Sequence, residues 1–92
     1  MKPLDIDFND TQAKYLQIID AYREAIKTGK LLPGTPLPSA RALAHYYHVN
    51  RHTVMTSLQS LVAEGWLSSQ QRKAYVVSSE LPIESSAKYQ KE

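Results

Sequence analysis

Apolar residues recur at helical spacing in three stretches of this chain, and the gaps between them hold the turn residues. Tyr15, Ile18, Ile19, Tyr22 and Ile26 share one stripe. They predict an amphipathic helix that is capped by Asn9 or Asp10, runs to about Thr28 and is stopped by Gly29. Residues 31–38 (LLPGTPLP) cannot be helix: Pro33-Gly34 suits the central positions of a type II turn, and Leu37 suits a short strand. Ala40, Leu43, Ala44 and Tyr47 form a second stripe behind Ser39, whose hydroxyl can cap a first-turn amide. Helix propensity runs out at His48-Val49. Asn50 then offers a new cap, Val54, Leu58, Leu61 and Val62 form the third stripe, and Gly65 ends it. Residues 66–69 and 74–77 read as a hairpin around Gln70, Gln71, Arg72 and Lys73, with Trp66, Leu67, Tyr75 and Val77 covering the core. Before the first helix, residues 1–9 read as an extended or loosely ordered extension. The fold class is therefore mainly α with a small β-hairpin.

Two helices joined by a tight turn make a helix-turn-helix, which presents the start of its second helix to base edges in the major groove. The polar face of that helix carries Arg51, His52, Met55, Thr56 and Gln59. These residues can exchange hydrogen bonds with bases or touch a methyl group. A solvated face has the same pattern, so periodicity alone leaves both readings open.

Charge adds to the picture through its distribution rather than its total, which is only +2. Residues 38–77 hold Arg41, Arg51, Arg72 and Lys73 against Glu64 alone, and also His45, His48 and His52. The flanking segments are close to balanced. Positive field thus gathers on the helix-turn-helix and hairpin, as phosphate binding requires.

The same residues resemble the N-terminal domain of the GntR family of bacterial transcription regulators. The match runs through Pro33, Gly34, Leu37, Pro38, Ser39, Arg41, Leu43, Ala44, Val49, Arg51, Thr53, Val54, Leu61, Glu64 and Gly65, and spans roughly residues 13 to 77. The resemblance implies a winged helix-turn-helix of three helices plus a wing, with residues 51–64 as the recognition helix and residues 70–73 as the wing tip. It also implies sequence-specific binding of double-stranded operator DNA. Arg41 matches an arginine that contacts DNA; the alternatives are a solvated charge or an ion pair with Glu64. Arg51 matches the arginine that enters the major groove, where a guanidinium can bond guanine O6 and N7 together. Ser39 and Asn50 are caps beside phosphates. Thr53 matches a threonine at the DNA surface, with a bond back to a helix carbonyl as the alternative. His52 stands at a position that tunes specificity. Met55 stands where many members of other branches place a second arginine; it can touch a thymine methyl but forfeits one polar base contact. Arg72 and Lys73 are expected on phosphates or in the minor groove.

Departures from the family pattern carry expectations too. Gln71 and Lys73 stand where the wing usually has glycines, which puts close backbone approach to DNA in question. His48 occupies a turn position where the family has glycine. Ala13-Lys14 replaces a Pro-Leu pair, which predicts an earlier helix start. Residues 10–78 are expected to form the DNA-binding domain and residues 79–92 a polar tail or a linker to an effector domain. The resemblance leans toward the branch whose effector domain is similar to an aminotransferase holding pyridoxal phosphate. No lysine here can be assigned as that cofactor's partner, so no cofactor is expected in these residues.

Other classes fit less well. The 92-residue chain has no cysteine, which removes disulfides and thiolate metal sites. His45 and His48 are separated from His52 by the turn, and no acidic residue lies between Pro38 and Ala63, so no metal site is expected. No nucleophile–base–acid arrangement suggests an enzyme. No apolar run could span a bilayer, and a cytoplasmic location is expected. The remaining alternative is a winged helix that binds protein instead of DNA. A full-length regulator is expected to be a homodimer, and this chain alone mainly a monomer.

Overall fold

The computed structural model describes residues 3–69 and 75–80. The first stripe becomes α1, Lys14–Lys27, which buries Ile18, Ile19, Tyr22, Ala25 and Ile26. Its start differs from the expected one. Asn9 does not cap the helix, because its Oδ1 accepts from the Thr11 amide at 3.0 Å and the Thr11 hydroxyl at 2.7 Å, closing a separate turn. Asp10 does not cap it either: Ala13 holds the cap position without a side-chain bond, so the helix begins later than expected. Tyr15, placed on the apolar stripe by spacing, is 39% exposed. The buried neighbour is Gln17, whose amide donates to the carbonyls of Asn9 (3.0 Å) and Gln12 (2.6 Å) and accepts from the Asn9 amide (3.0 Å). Gly29 follows the C-cap Thr28 with a positive φ of 84°, ending the helix as expected.

Thr35 donates to the Leu32 carbonyl across Pro33-Gly34 at 3.0 Å, and Gly34 has φ 86°. A type II turn needs this positive φ at its third residue. The segment after it joins the hairpin rather than forming a strand of its own. Pro36 bridges Val76, the Leu37 amide donates to the Tyr75 carbonyl at 2.8 Å, and the Val77 amide donates to the Thr35 carbonyl at 2.8 Å. Leu37 itself is buried.

Ser39 caps α2, Ala40–Tyr47, by accepting from the Ala42 amide at 3.1 Å. His48 takes the left-handed conformation at φ 58° and closes α2, with bonds from Val49 to Ala44 (3.1 Å) and from His48 to His45 (3.4 Å). These are the paired closing bonds of a Schellman turn, which usually needs glycine. Asn50 then caps α3, Arg51–Ala63. Gly65, at φ 91°, ends α3 in a second such turn, with Trp66 donating to Leu61 at 2.9 Å and Gly65 to Val62 at 3.0 Å.

Beyond α3, β1 (Leu67–Ser68) pairs antiparallel with β2 (Val76–Val77), Leu67 opposite Val77. One core lies between the three helices and this ribbon: Ile18, Tyr22, Leu43, Val54, Leu58, Leu61, Trp66 and Val77 are all at most 5% exposed. Such completely buried positions fix the helix angles, since truncating a Leu58-type side chain to alanine costs roughly 2–5 kcal/mol. Ser57 sits among them with no exposure and bonds the carbonyls of Tyr15 and Thr53, each at 3.0 Å. A small polar residue there lets α3 approach α1 closely while its hydroxyl stays satisfied. Residues 3–9 form neither helix nor strand, and they are docked rather than loose: Leu4, Ile6 and Phe8 pack against the core.

Candidate nucleic-acid interface

The two caps place the starts of α2 and α3 side by side. Ser39, Ala40, Arg41 and Arg51 line one open cleft of about 320 Å³. Arg41 and Arg51 are both exposed, and among the described residues neither has an ion-pair or hydrogen-bond partner. The alternative pairing of Arg41 with Glu64 does not occur, because Glu64 is engaged by Arg23 at 3.3 Å. That carboxylate also raises the Arg23 guanidinium above its ordinary value.

The caps leave donors available. Ser39 Oγ accepts from the Ala42 amide, so its own proton can point outward. Asn50 Oδ1 accepts from the Thr53 amide at 2.9 Å and the Thr53 hydroxyl at 3.2 Å, and the Asn50 NH₂ has no partner among the described residues. Thr53 therefore bonds to Asn50 rather than back to a helix carbonyl. His52 is exposed, and Thr53 and Met55 are half-buried. Thr56 is half-buried and Gln59 exposed on the same face of α3. Arg72, Lys73 and the rest of the expected wing tip lie outside the described residues. So do residues 81–92 of the expected tail.

Among the described residues, no group of three or more histidine, cysteine or acidic side chains could hold a metal ion. None of the described helices is long and apolar enough to cross a membrane.

The sequence profile of the bacterial regulatory proteins of the gntR family matches residues 14–77. This chain belongs to that family. YdfD of Bacillus subtilis (strain 168), an uncharacterized HTH-type transcriptional regulator, is 41% identical over 64 residues, covering 70% of this chain and 13% of YdfD. YtrA of Sulfolobus acidocaldarius, a GntR-family transcription factor of known structure, is 42% identical with a TM-score of 0.75, covering 88% of this chain and 69% of YtrA. The DNA-binding domain of AraR in complex with operator ORR3 is 31% identical with a TM-score of 0.69, covering 85% of this chain and 92% of that one. The three helices and two-stranded ribbon of this GntR-family chain are thus the winged-helix arrangement of its relatives. The chain spans only 13% to 28% of the length of the curated relatives it matches.

The sequence reading missed Gln17, Ser57 and the Arg23–Glu64–Trp66 group. Ser57 carried a readable signal, since it lies four residues after Thr53 and three after Val54, inside the apolar stripe. Arg23 and Glu64 are 41 residues apart and carried none.

Proposed function

We propose that this chain is the DNA-reading domain of a bacterial transcription regulator, binding double-stranded operator DNA with α3 in the major groove. One observation carries the reading: two exposed guanidinium groups without partners among the described residues share a cleft with the capped starts of α2 and α3. Helix N-termini offer free amides and the positive end of the dipole to phosphate, and arginine adds charge and a planar set of donors. In this reading Ser39, Arg41 and Asn50 hold phosphates, and Arg51 reaches a guanine. His52, Thr53 and Met55 sample neighbouring base edges, Met55 through a thymine methyl. Arg72 and Lys73 are assigned to the backbone or minor groove.

AraR's domain on operator DNA supports the partner, and relatives named as transcriptional regulators support a binding role without catalysis in the cytoplasm. We assign dimerisation and effector control to other parts of a longer regulator, with an aminotransferase-like domain as the expected form. The chain alone should then sediment mainly as a monomer at micromolar concentration, and a tight dimer would contradict this. The decisive measurement is fluorescence anisotropy with a duplex selected by the chain from a random pool and with a scrambled duplex. The selected duplex should bind tighter, and both should weaken steeply between about 50 and 200 mM salt. Absence of binding to either duplex at low salt ends the reading in favour of a protein-interaction module.

A further inference from the structure

Glu64 stands at the C-cap of α3, where the helix dipole favours a cation over an anion. A carboxylate in a DNA-reading domain also works against phosphate attraction. Neither helix stability nor DNA attraction accounts for an acid here, but its contacts do. Oε1 accepts from the Trp66 indole N–H at 2.9 Å and from Arg23 Nε at 3.3 Å. Oε2 accepts from Arg23 Nη2 at 3.3 Å. Arg23 belongs to α1 and is steadied by Asp20 at 3.0 Å. Trp66 follows the Gly65 turn, is 5% exposed, and accepts from the Ser78 amide at 3.0 Å through its carbonyl. One carboxylate therefore joins α1, the end of α3 and the root of the hairpin.

We propose that Glu64 is a positioning residue for DNA binding. By holding the Trp66 indole against Arg23, it sets the angle at which the hairpin leaves α3, so that both elements meet one duplex. Burial alone keeps Trp66 in the core, and the bond to Glu64 fixes which way its ring turns. This rests on the DNA reading above.

Two substitutions with the same charge test it. Glu64→Gln can keep an oxygen at the Oε1 position for Trp66 and Arg23 Nε, while its NH₂ replaces the Oε2 acceptor of Arg23 Nη2 and the charge is lost. Glu64→Ala loses all three. Glu64→Gln should bind the selected duplex within about twofold of the parent chain. Glu64→Ala should bind about tenfold more weakly and lose roughly one unit of log–log salt slope, as expected when a hairpin phosphate contact is misplaced. Without DNA, emission from the chain's single tryptophan should shift in the alanine variant and not in the glutamine variant. Equal behaviour of the two variants overturns the proposal, because only charge would then matter. Parental affinity in Glu64→Ala overturns it as well. Should Glu64→Ala fail to fold, Trp66→Phe keeps the Arg23–Glu64 pair and removes the indole donor. It should show the same weakened binding and reduced slope, and parental binding there overturns the proposal. If the parent chain binds no duplex, the DNA reading itself has failed; if it binds and the variants match each other, only the role of Glu64 has.

Discussion

His48 is a side-chain-bearing residue in a conformation that glycine normally supplies, at the turn that sets α2 against α3. A left-handed backbone costs an L-residue roughly 1–2 kcal/mol. Glycine would relieve that while adding about 0.5–1 kcal/mol of entropy to be lost on folding. The first effect is the larger, so His48→Gly should stabilise the domain by up to about 1 kcal/mol, read as a higher urea midpoint at unchanged slope. A lower midpoint would mean that the imidazole stabilises the turn in a way the backbone does not show. At Arg51 the residue-scale question is specificity. The side chain is exposed, stands at the first position of α3 and lacks a partner among the described residues. Arg51→Ala should cost about 1–3 kcal/mol on a selected duplex and much less on a scrambled one, by anisotropy titration of both. Equal losses on the two would place Arg51 on phosphate instead.

Among the elements, the N-terminal arm departs furthest from its sequence reading. Leu4, Ile6 and Phe8 alternate with exposed Asp5, Asp7 and Asn9, the period of a half-buried strand. The arm is fastened by side chains, so its docking has no strand-pairing signal. Leu4 donates its amide to the Tyr22 hydroxyl at 3.2 Å, and its carbonyl accepts from the Tyr47 hydroxyl. Because Tyr47 has one proton and uses it there, Tyr22 must donate across the 2.7 Å gap between the two hydroxyls. The result is a closed ring joining the arm, α1 and α2. Burial raises both tyrosines above their ordinary value of 10.0. The folded state thus favours the protonated forms, and their contribution is complete below pH 10 and lost as the pH rises beyond it. Urea stability should therefore fall above about pH 10, and Tyr47→Phe should both lower stability at neutral pH by about 1–3 kcal/mol and shrink the alkaline fall. An unchanged alkaline fall in that variant would show that other groups govern it. By contrast α2, α3 and their caps were legible because Ser39, Asn50, Gly65 and the apolar stripes act within a few residues. Contacts made across 18 to 43 residues, such as Leu4 with Tyr22 and Tyr47, leave no local period to read. The start of α1 was misread because Asn9, a good cap by type, closes its own turn with Thr11.

For the whole molecule, a net charge of +2 is too small to drive DNA affinity by itself. Affinity has to come from where the charges stand, and the chain offers two sets. Arg41 and Arg51 are held by short caps at the starts of two packed helices, a rigid placement suited to reading a fixed geometry. Arg72 and Lys73 fall between β1 and β2 in sequence, in a segment without the family's wing glycines, on long flexible stems suited to neutralising phosphate. Specificity and salt dependence should then separate. Replacing Arg72 and Lys73 together with alanine should weaken selected and scrambled duplexes alike and reduce the log–log salt slope by roughly 1–2. Arg51→Ala should instead lower the ratio between the two duplexes while changing the slope less. The comparison is made by titrating both variants on both duplexes at several salt concentrations. A hairpin variant that keeps its full slope, beside an Arg51 variant that weakens every duplex equally, would show that α3 supplies the charge and the hairpin stands away from DNA.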